Sequence, residues 1–146
     1  MFDDEDEIYV VKTEKYGYIQ LPGGGIEDGE SIMEALRRET EEKTGLLIDS
    51  IEPIGFTLER REDIRNTHSW ARDISHVFRA LPSKEVGTHY MEDEKAEEFK
   101  PIWISLDDFI AEQERNEGKI ESHSGRFSNR RDLGIAKYFK GTAYRL

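Results

Sequence analysis

Strand-forming and helix-forming runs alternate along this 146-residue chain, which predicts an α/β or α+β sandwich rather than an all-α or all-β domain. Two further observations support that expectation. The length suits one globular domain over 1–146 with a core large enough to fold unaided, and no linker divides it. Charged and hydrophobic residues each make up 36%, yet aromatics reach 10% and apolar residues recur in short periodic runs, which argues against disorder.

Element by element, Asp3 to Glu7 reads as an acidic turn. Ile8 to Lys12 and Tyr16 to Leu21 are β-rich runs joined by Thr13-Glu14-Lys15 and read as a hairpin. The Pro22-Gly-Gly-Gly loop leads to a helix from about Ile32 to Lys43, with Ser31 and Glu34 in capping-box spacing and Gly45 as its stop. Leu46 to Ile54 and Gly55 to Leu58 are strand material interrupted at Pro53-Ile54-Gly55, and Ile74 to Leu81 is a strand that Pro82 ends. Glu59 to Asp73 and Ser83 to Lys100 read as charged loops. Pro101 to Ile104 is a short strand, Ser105 caps a helix through about Glu117, and a last helix runs from Asn129 to Phe139.

The formal net charge of -11 disfavours nonspecific binding to nucleic acid or an anionic membrane, and it suits divalent cations. With no cysteine there is no disulfide, thiolate metal site or cysteine nucleophile, so any metal is held by oxygen or imidazole. No secretory apolar segment follows Met1, and no apolar run approaches the ~20 residues that span a bilayer, so a soluble cytoplasmic protein is expected.

The helix from Ile32 is the anomaly. At about 100° per residue, Ala35, Leu36, Glu39, Thr40 and Lys43 share one broad face with Ile32, while Arg37, Glu41 and Glu34 lie opposite. Glu39 therefore points where a structural helix would place an aliphatic side chain. A solvated helix stitched by Glu39-Lys43 and Arg38-Glu42 ion pairs is the plain alternative. A carboxylate cluster entered through a glycine loop suits Mg²⁺, which prefers oxygen ligands and is often shared with substrate phosphates. The glycines let backbone approach a diphosphate closely, and no Gly-Lys-Ser/Thr follows to make a P-loop.

Gly24, Glu30, Arg38, Glu39, Glu42, Gly45 and Leu46 stand at the spacing of the Nudix box, G-x5-E-x7-R-E-U-x-E-E-x-G-U, and the chain resembles the Nudix (MutT-like) hydrolases. The likeness extends to Tyr18–Pro22 before the box, to Trp103-Ile-Ser-Leu-Asp-Asp and to Arg131-Asp132-Leu133. It implies an α/β/α sandwich with a mixed sheet and Mg²⁺-assisted hydrolysis of a nucleoside diphosphate linked to another group, with Mn²⁺ as a substitute metal. It also implies that Glu39 and Glu42 hold metal, that Glu30 and Arg38 organise loop and helix, and that the Gly24 and Gly25 backbone lines the site.

Two departures from the pattern are visible. Thr40 takes an aliphatic position, and Lys43 replaces the second glutamate of the pair, turning an acceptor into a donor-only ammonium. Three readings of Lys43 stay open: it pairs with Glu39 and blunts metal binding, it contacts substrate phosphate, or later carboxylates compensate. Among Glu92, Asp93, Glu94, Glu97 and Glu98, the resemblance points to Glu94 and Glu97 as metal ligands, against the plain reading of a solvated acidic loop. The rival to an active hydrolase is a fold that binds a nucleotide or protein partner without turnover. Relatives also carry a strand ahead of Asp3–Glu7 where only Met1 and Phe2 stand, so a sheet one strand short, with an edge open to a second copy as a homodimer, and a late start are both open readings.

His68, His76, His89 and His123 lack metal-ligand spacing. Tyr16, Trp70 and Tyr90 are candidates for stacking on a base or for core and rim packing. Arg126, Arg130 and Arg131 form a local basic cluster that touches phosphate or merely caps and pairs.

Overall fold

The structure, a computed structural model, describes residues 7–62, 69–85 and 99–143. Strands β1 (Glu7–Thr13) and β2 (Ile19–Gln20) precede helix α1 (Ile32–Thr44). Strands β3 (Leu46–Glu62), β4 (Trp70–Glu85) and β5 (Phe99–Ser105) follow, then helices α2 (Leu106–Asn116) and α3 (His123–Ala143). The α+β class is as expected. Where a mixed sheet was expected, the strand pairings described are all antiparallel and fall into a three-stranded sheet, β2-β1-β5, and the two-stranded β3-β4.

β1 forms because its residues are β-branched and aromatic, and both of its faces are covered. Ile8 and Val10 point one way and Val11 and Thr13 the other, and all four are buried. The core gathers Ile8, Val10, Ile19, Phe109 and Ala136, with Leu21, Ile102, Ile104, Leu106 and Ile110 packed on them. α1 packs against β1, β5 and β3, while α2 and α3 pack on each other and on β2. The predicted hairpin is present in the register Val11↔Gln20 and Lys12↔Ile19. Its second strand is shorter than expected, because Tyr16 and Gly17 belong to the turn, where Gly17 N–H donates to Thr13 O at 2.8 Å.

Several predicted boundaries move. Glu7 opens β1 and pairs with Ser105 instead of ending a turn. The break expected at Pro53-Ile54-Gly55 is a register shift inside one continuous strand, with others at Leu47/Ile48 and Asp49/Glu52. Pro82 does not end β4; it pairs opposite Ile48 next to a register shift. In a two-stranded sheet every strand has a free edge, so a residue without an N–H is tolerated there. The last helix begins six residues before the predicted Asn129, at His123. Of the expected loops, Glu59–Glu62, Trp70–Asp73, Ser83–Glu85 and Phe99–Lys100 are strand, whereas 63–68 and 86–98 lie outside the described residues. Residues 1–6 lie outside them too, so the readings placed on Met1 and Phe2 are not addressed.

Candidate functional site

α1 starts where the glycine loop ends, and its first turn explains why. Ser31 Oγ accepts the Glu34 N–H at 3.1 Å, and Glu34 Oε2 accepts the Ser31 N–H at 2.7 Å, completing the capping box. The Ser31 backbone N–H above all, with help from the Ser31 hydroxyl, holds the Glu34 carboxyl below its ordinary range. At the other end Gly45 adopts φ 71°, a left-handed conformation that favours glycine, and its N–H donates to Glu41 O at 2.9 Å. Side chains on a helix lean towards its N-terminus, so Arg38, Glu39 and Glu42 reach back to the loop.

Arg38 is the hub. Its Nε and Nη2 fork onto Glu30 at 2.7 and 3.0 Å, and Nη2 also donates to Gly25 O at 3.0 Å. Its Nη1 donates to Glu39 Oε1 at 2.9 Å and to Glu42 Oε2 at 3.2 Å. The bond to Glu30 above all, with help from Glu39, raises the pKa of Arg38 further, so it stays cationic. The same fork, joined by the Glu27 N–H at 2.9 Å, holds the Glu30 carboxyl below its usual range.

Glu39 lies between two cations, with Oε1 on Arg38 and Oε2 at 3.6 Å from Lys43 Nζ. Its side chain is only 12% exposed, as the inward angle on the helical face predicts. Lys43 Nζ also donates to Gly23 O. The loop passes so close that a Cβ on Gly24 would sit 2.1 Å from Glu39 Cδ and Oε1. A side chain at Gly24 would therefore displace the Glu39 carboxylate from its place between Arg38 and Lys43.

A cavity of about 350 Å³ opens beside the loop. Gly23, Gly24, Gly25 and Glu39 line one side, Arg131 and Asp132 of α3 another, and the remaining wall is largely aliphatic, including Ile32, Leu36, Ile54 and Ile135. Asp132 is fully buried and was missed as a site residue. The signal was available, because Ile135 and Ala136 follow it at i+3 and i+4 and place it on the core stripe of α3. Burial pushes its carboxyl above the ordinary range, outweighing the nearby Arg131 charge and the Leu21 N–H, which pull the other way. On β3, burial likewise raises Glu59, opposed by Arg131.

The structure thus brings together Glu30, Arg38, Glu39, Glu42, Lys43, Gly24 and Gly25. Glu94 and Glu97, together with Glu92, Asp93, Glu98, His68, His89 and Tyr90, lie outside the described residues. Trp70 is exposed under Arg60 and Tyr16 lies against Tyr18 in the hairpin turn, and neither lines the cavity. Of the arginine cluster only Arg131 lines the cavity, since Arg126 donates to Ile120 O and Glu121 O. Among the described residues no group of three or more His, Asp or Glu is placed to share a metal ion. Glu39 and Glu42 nevertheless converge on one nitrogen of Arg38, so two carboxylates meet at one point. That donor set fits Mg²⁺, which commonly uses one or two carboxylates and completes its shell with waters and substrate phosphates.

Fold and site define a class: an α+β domain whose glycine loop runs onto a helix of converging carboxylates. The family model described as the NUDIX domain matches residues 1–123, and the chain belongs to the Nudix family. Members of this family hydrolyse phosphoric anhydrides, act on small-molecule nucleotides and generally use divalent metal ions, typically Mg²⁺. The crystal structure of the mutator MutT protein from Bacillus halodurans is similar in fold, with a TM-score of 0.50 and 20% identity over 88% of this chain and 74% of that one. No curated protein matches the chain. Among the described residues, no helix is long and apolar enough to cross a membrane.

Proposed function

We propose that the chain is a Mg²⁺-dependent pyrophosphohydrolase acting on a nucleoside diphosphate linked to another group, with Glu39 and Glu42 as the metal-holding carboxylates. One observation carries the reading: both carboxylates converge on Arg38 Nη1, and Gly24 of the loop comes so close to Glu39 that a Cβ there would meet its carboxylate. The bound metal would supply charge neutralisation on the bridging phosphates, polarisation of phosphorus and a lowered pKa for the attacking water. The chain's own contribution is positional. Arg38 and Glu30 tie the loop to α1 at Gly25 and Glu27, and the Gly24 and Gly25 backbone lies open to an incoming diphosphate. Glu94 and Glu97 are the further carboxylates proposed as ligands, on family resemblance alone.

A second reading, nucleotide or partner binding without turnover, is favoured by one observation. Lys43 and Arg38 already neutralise both oxygens of Glu39, so a metal has to compete with two internal cations. The ammonium is also committed to Gly23 O, which supports Lys43 as a pairing group rather than a free phosphate contact.

The test is a Mg²⁺ titration with a panel of nucleoside diphosphate compounds. Turnover that falls by at least about 100-fold in Glu42→Gln, as expected when a direct ligand is lost, supports the hydrolase. Tight binding with no hydrolysis supports the second reading. In parallel, calorimetry on Lys43→Glu is expected to show Mg²⁺ affinity rising by about 10-fold or more. Unchanged or weaker affinity would sink the claim that Lys43 opposes metal.

A further inference from the structure

β2 is two residues long and stands at the edge of its sheet. Thr13 N–H donates to Tyr18 O at 2.9 Å, which turns the backbone groups of Tyr18 and Gln20 towards β1 and those of Ile19 and Leu21 outwards. An outward edge inside a packed domain needs partners. No strand supplies them among the described residues; side chains from two helices do. Gln113 of α2, fully buried, donates through Nε2 to Ile19 O at 2.9 Å. Asp132 of α3, also fully buried, accepts the Leu21 N–H on Oδ2 at 2.8 Å. Asn129 ties the two helices by donating through Nδ2 to Gln113 O at 3.1 Å and to Gln113 Oε1.

The pattern continues into the loop. Going along the chain, every second residue from Ile19 to Gly25 has a backbone group held by a side chain: Ile19 O, Leu21 N–H, Gly23 O and Gly25 O. Lys43 and Arg38 of α1 hold the last two, from the side that carries Glu39. Asp132 holds the point where the strand becomes the loop, and Arg131 fixes its other oxygen, with Nε at 3.0 Å and Nη2 at 2.9 Å from Oδ1. A carboxylate with one oxygen clamped and the other accepting a backbone N–H has little freedom to swing.

We infer that Asp132, aligned by Arg131, is a positioning residue for the glycine loop, through which the C-terminal helix sets where Gly23–Gly25 stand against Glu39. Both residues lie on the last helix, beyond the segment matched by the family model. Its catalytic consequence rests on the hydrolase reading; its structural core does not. A displacement of ~1 Å at a reacting centre can cost ~100-fold in rate, which is the route by which a residue that touches no reacting atom affects turnover.

The experiment pairs kinetics with amide hydrogen exchange on Asp132→Ala, Asp132→Asn and Arg131→Met. In Asp132→Ala the Leu21 amide should exchange at least about 10-fold faster, the loss of a bond to a charged acceptor, while the Ala35 amide inside α1 keeps its protection. kcat should fall about 10-fold to 100-fold with KM changed less than about threefold, since the phosphate-facing backbone remains. Asp132→Asn, which retains an acceptor oxygen, should recover most of both losses, and Arg131→Met should show a smaller change in the same direction. If Asp132→Ala also loses Ala35 protection and is thus unfolded, Arg131→Met decides the matter by the same two readouts. Wild-type exchange at Leu21 in the folded variant, or Asp132→Asn no better than Asp132→Ala, would overturn the inference. Should the wild type turn over no compound, the hydrolase reading fails by itself, and the Leu21 amide still decides whether Asp132 holds the loop.

Discussion

The glycine loop and the β3-β4 hairpin are built on opposite plans. The loop has almost no regular hydrogen bonding of its own, yet charged side chains from α1 and α3 hold its backbone at Leu21, Gly23 and Gly25. The hairpin has a long antiparallel ladder from Leu46↔Glu85 to Glu62↔Trp70, yet it leaves Phe56 67%, Leu58 61% and Ile74 60% exposed on one face. Position is overdetermined in one region, while in the other side-chain identity is loosely constrained at Phe56 and Leu58, although Ile54 and Ile74 of the same hairpin line the cavity. Chemistry that depends on fractions of an ångström belongs in the first.

The comparison breaks most readily at Gly24. Alanine there would drive a Cβ to 2.1 Å from the Glu39 carboxylate, which could move aside only by giving up its pairing with Arg38 and Lys43. Gly24→Ala should lower turnover about 10-fold to 100-fold and destabilise by about 1–3 kcal/mol, read by steady-state kinetics and thermal unfolding. Full activity in this variant would show that the loop yields easily.

A pH series gives an intermediate effect. The Asp132 carboxyl is raised in the folded chain, so its contribution favours folding in acid and is lost as pH rises past the unfolded value towards the folded one. Asp132→Asn has no such loss. The difference in Tm, variant minus wild type, should therefore become more positive from about pH 4 to about pH 7. Glu30 works the other way: its carboxyl is lowered, so its contribution is present above the unfolded value and disappears as pH falls through the folded one. A flat Tm difference would remove the claim that burial dominates at Asp132.

The smallest effect is expected on the hairpin. Phe56→Ser on the exposed face should change stability by less than about 0.5 kcal/mol and leave turnover unchanged. A large loss in either would mean that Phe56, and not only Ile54 and Ile74, bears on the site, and the contrast between the regions would fail.

What was legible in the sequence follows the range of the interactions. The Ser31-Glu34 capping box, the Gly45 stop and the inward angle of Glu39 depend on contacts three or four residues apart, and the structure places all three as read. The prolines misled because a breaker is only as strong as the hydrogen bond it removes. At Pro53 and Pro82 the chain runs in a two-stranded sheet whose outer edges need no N–H partner. The start of α3 was missed at His123, where no acidic residue opens the first turn.

The sequence by itself determined the box: which residues are glycine, which are carboxylates, and the helical spacing that turns Glu39 and Lys43 to one face. The tertiary structure decided what those groups touch. Lys43 finds Gly23 O across 20 positions and Asp132 finds Leu21 across 111, and no local periodicity encodes such pairings. They arise because the partly buried backbone groups of a two-residue edge strand and the start of its loop are satisfied by whatever donors and acceptors the packed helices bring to them.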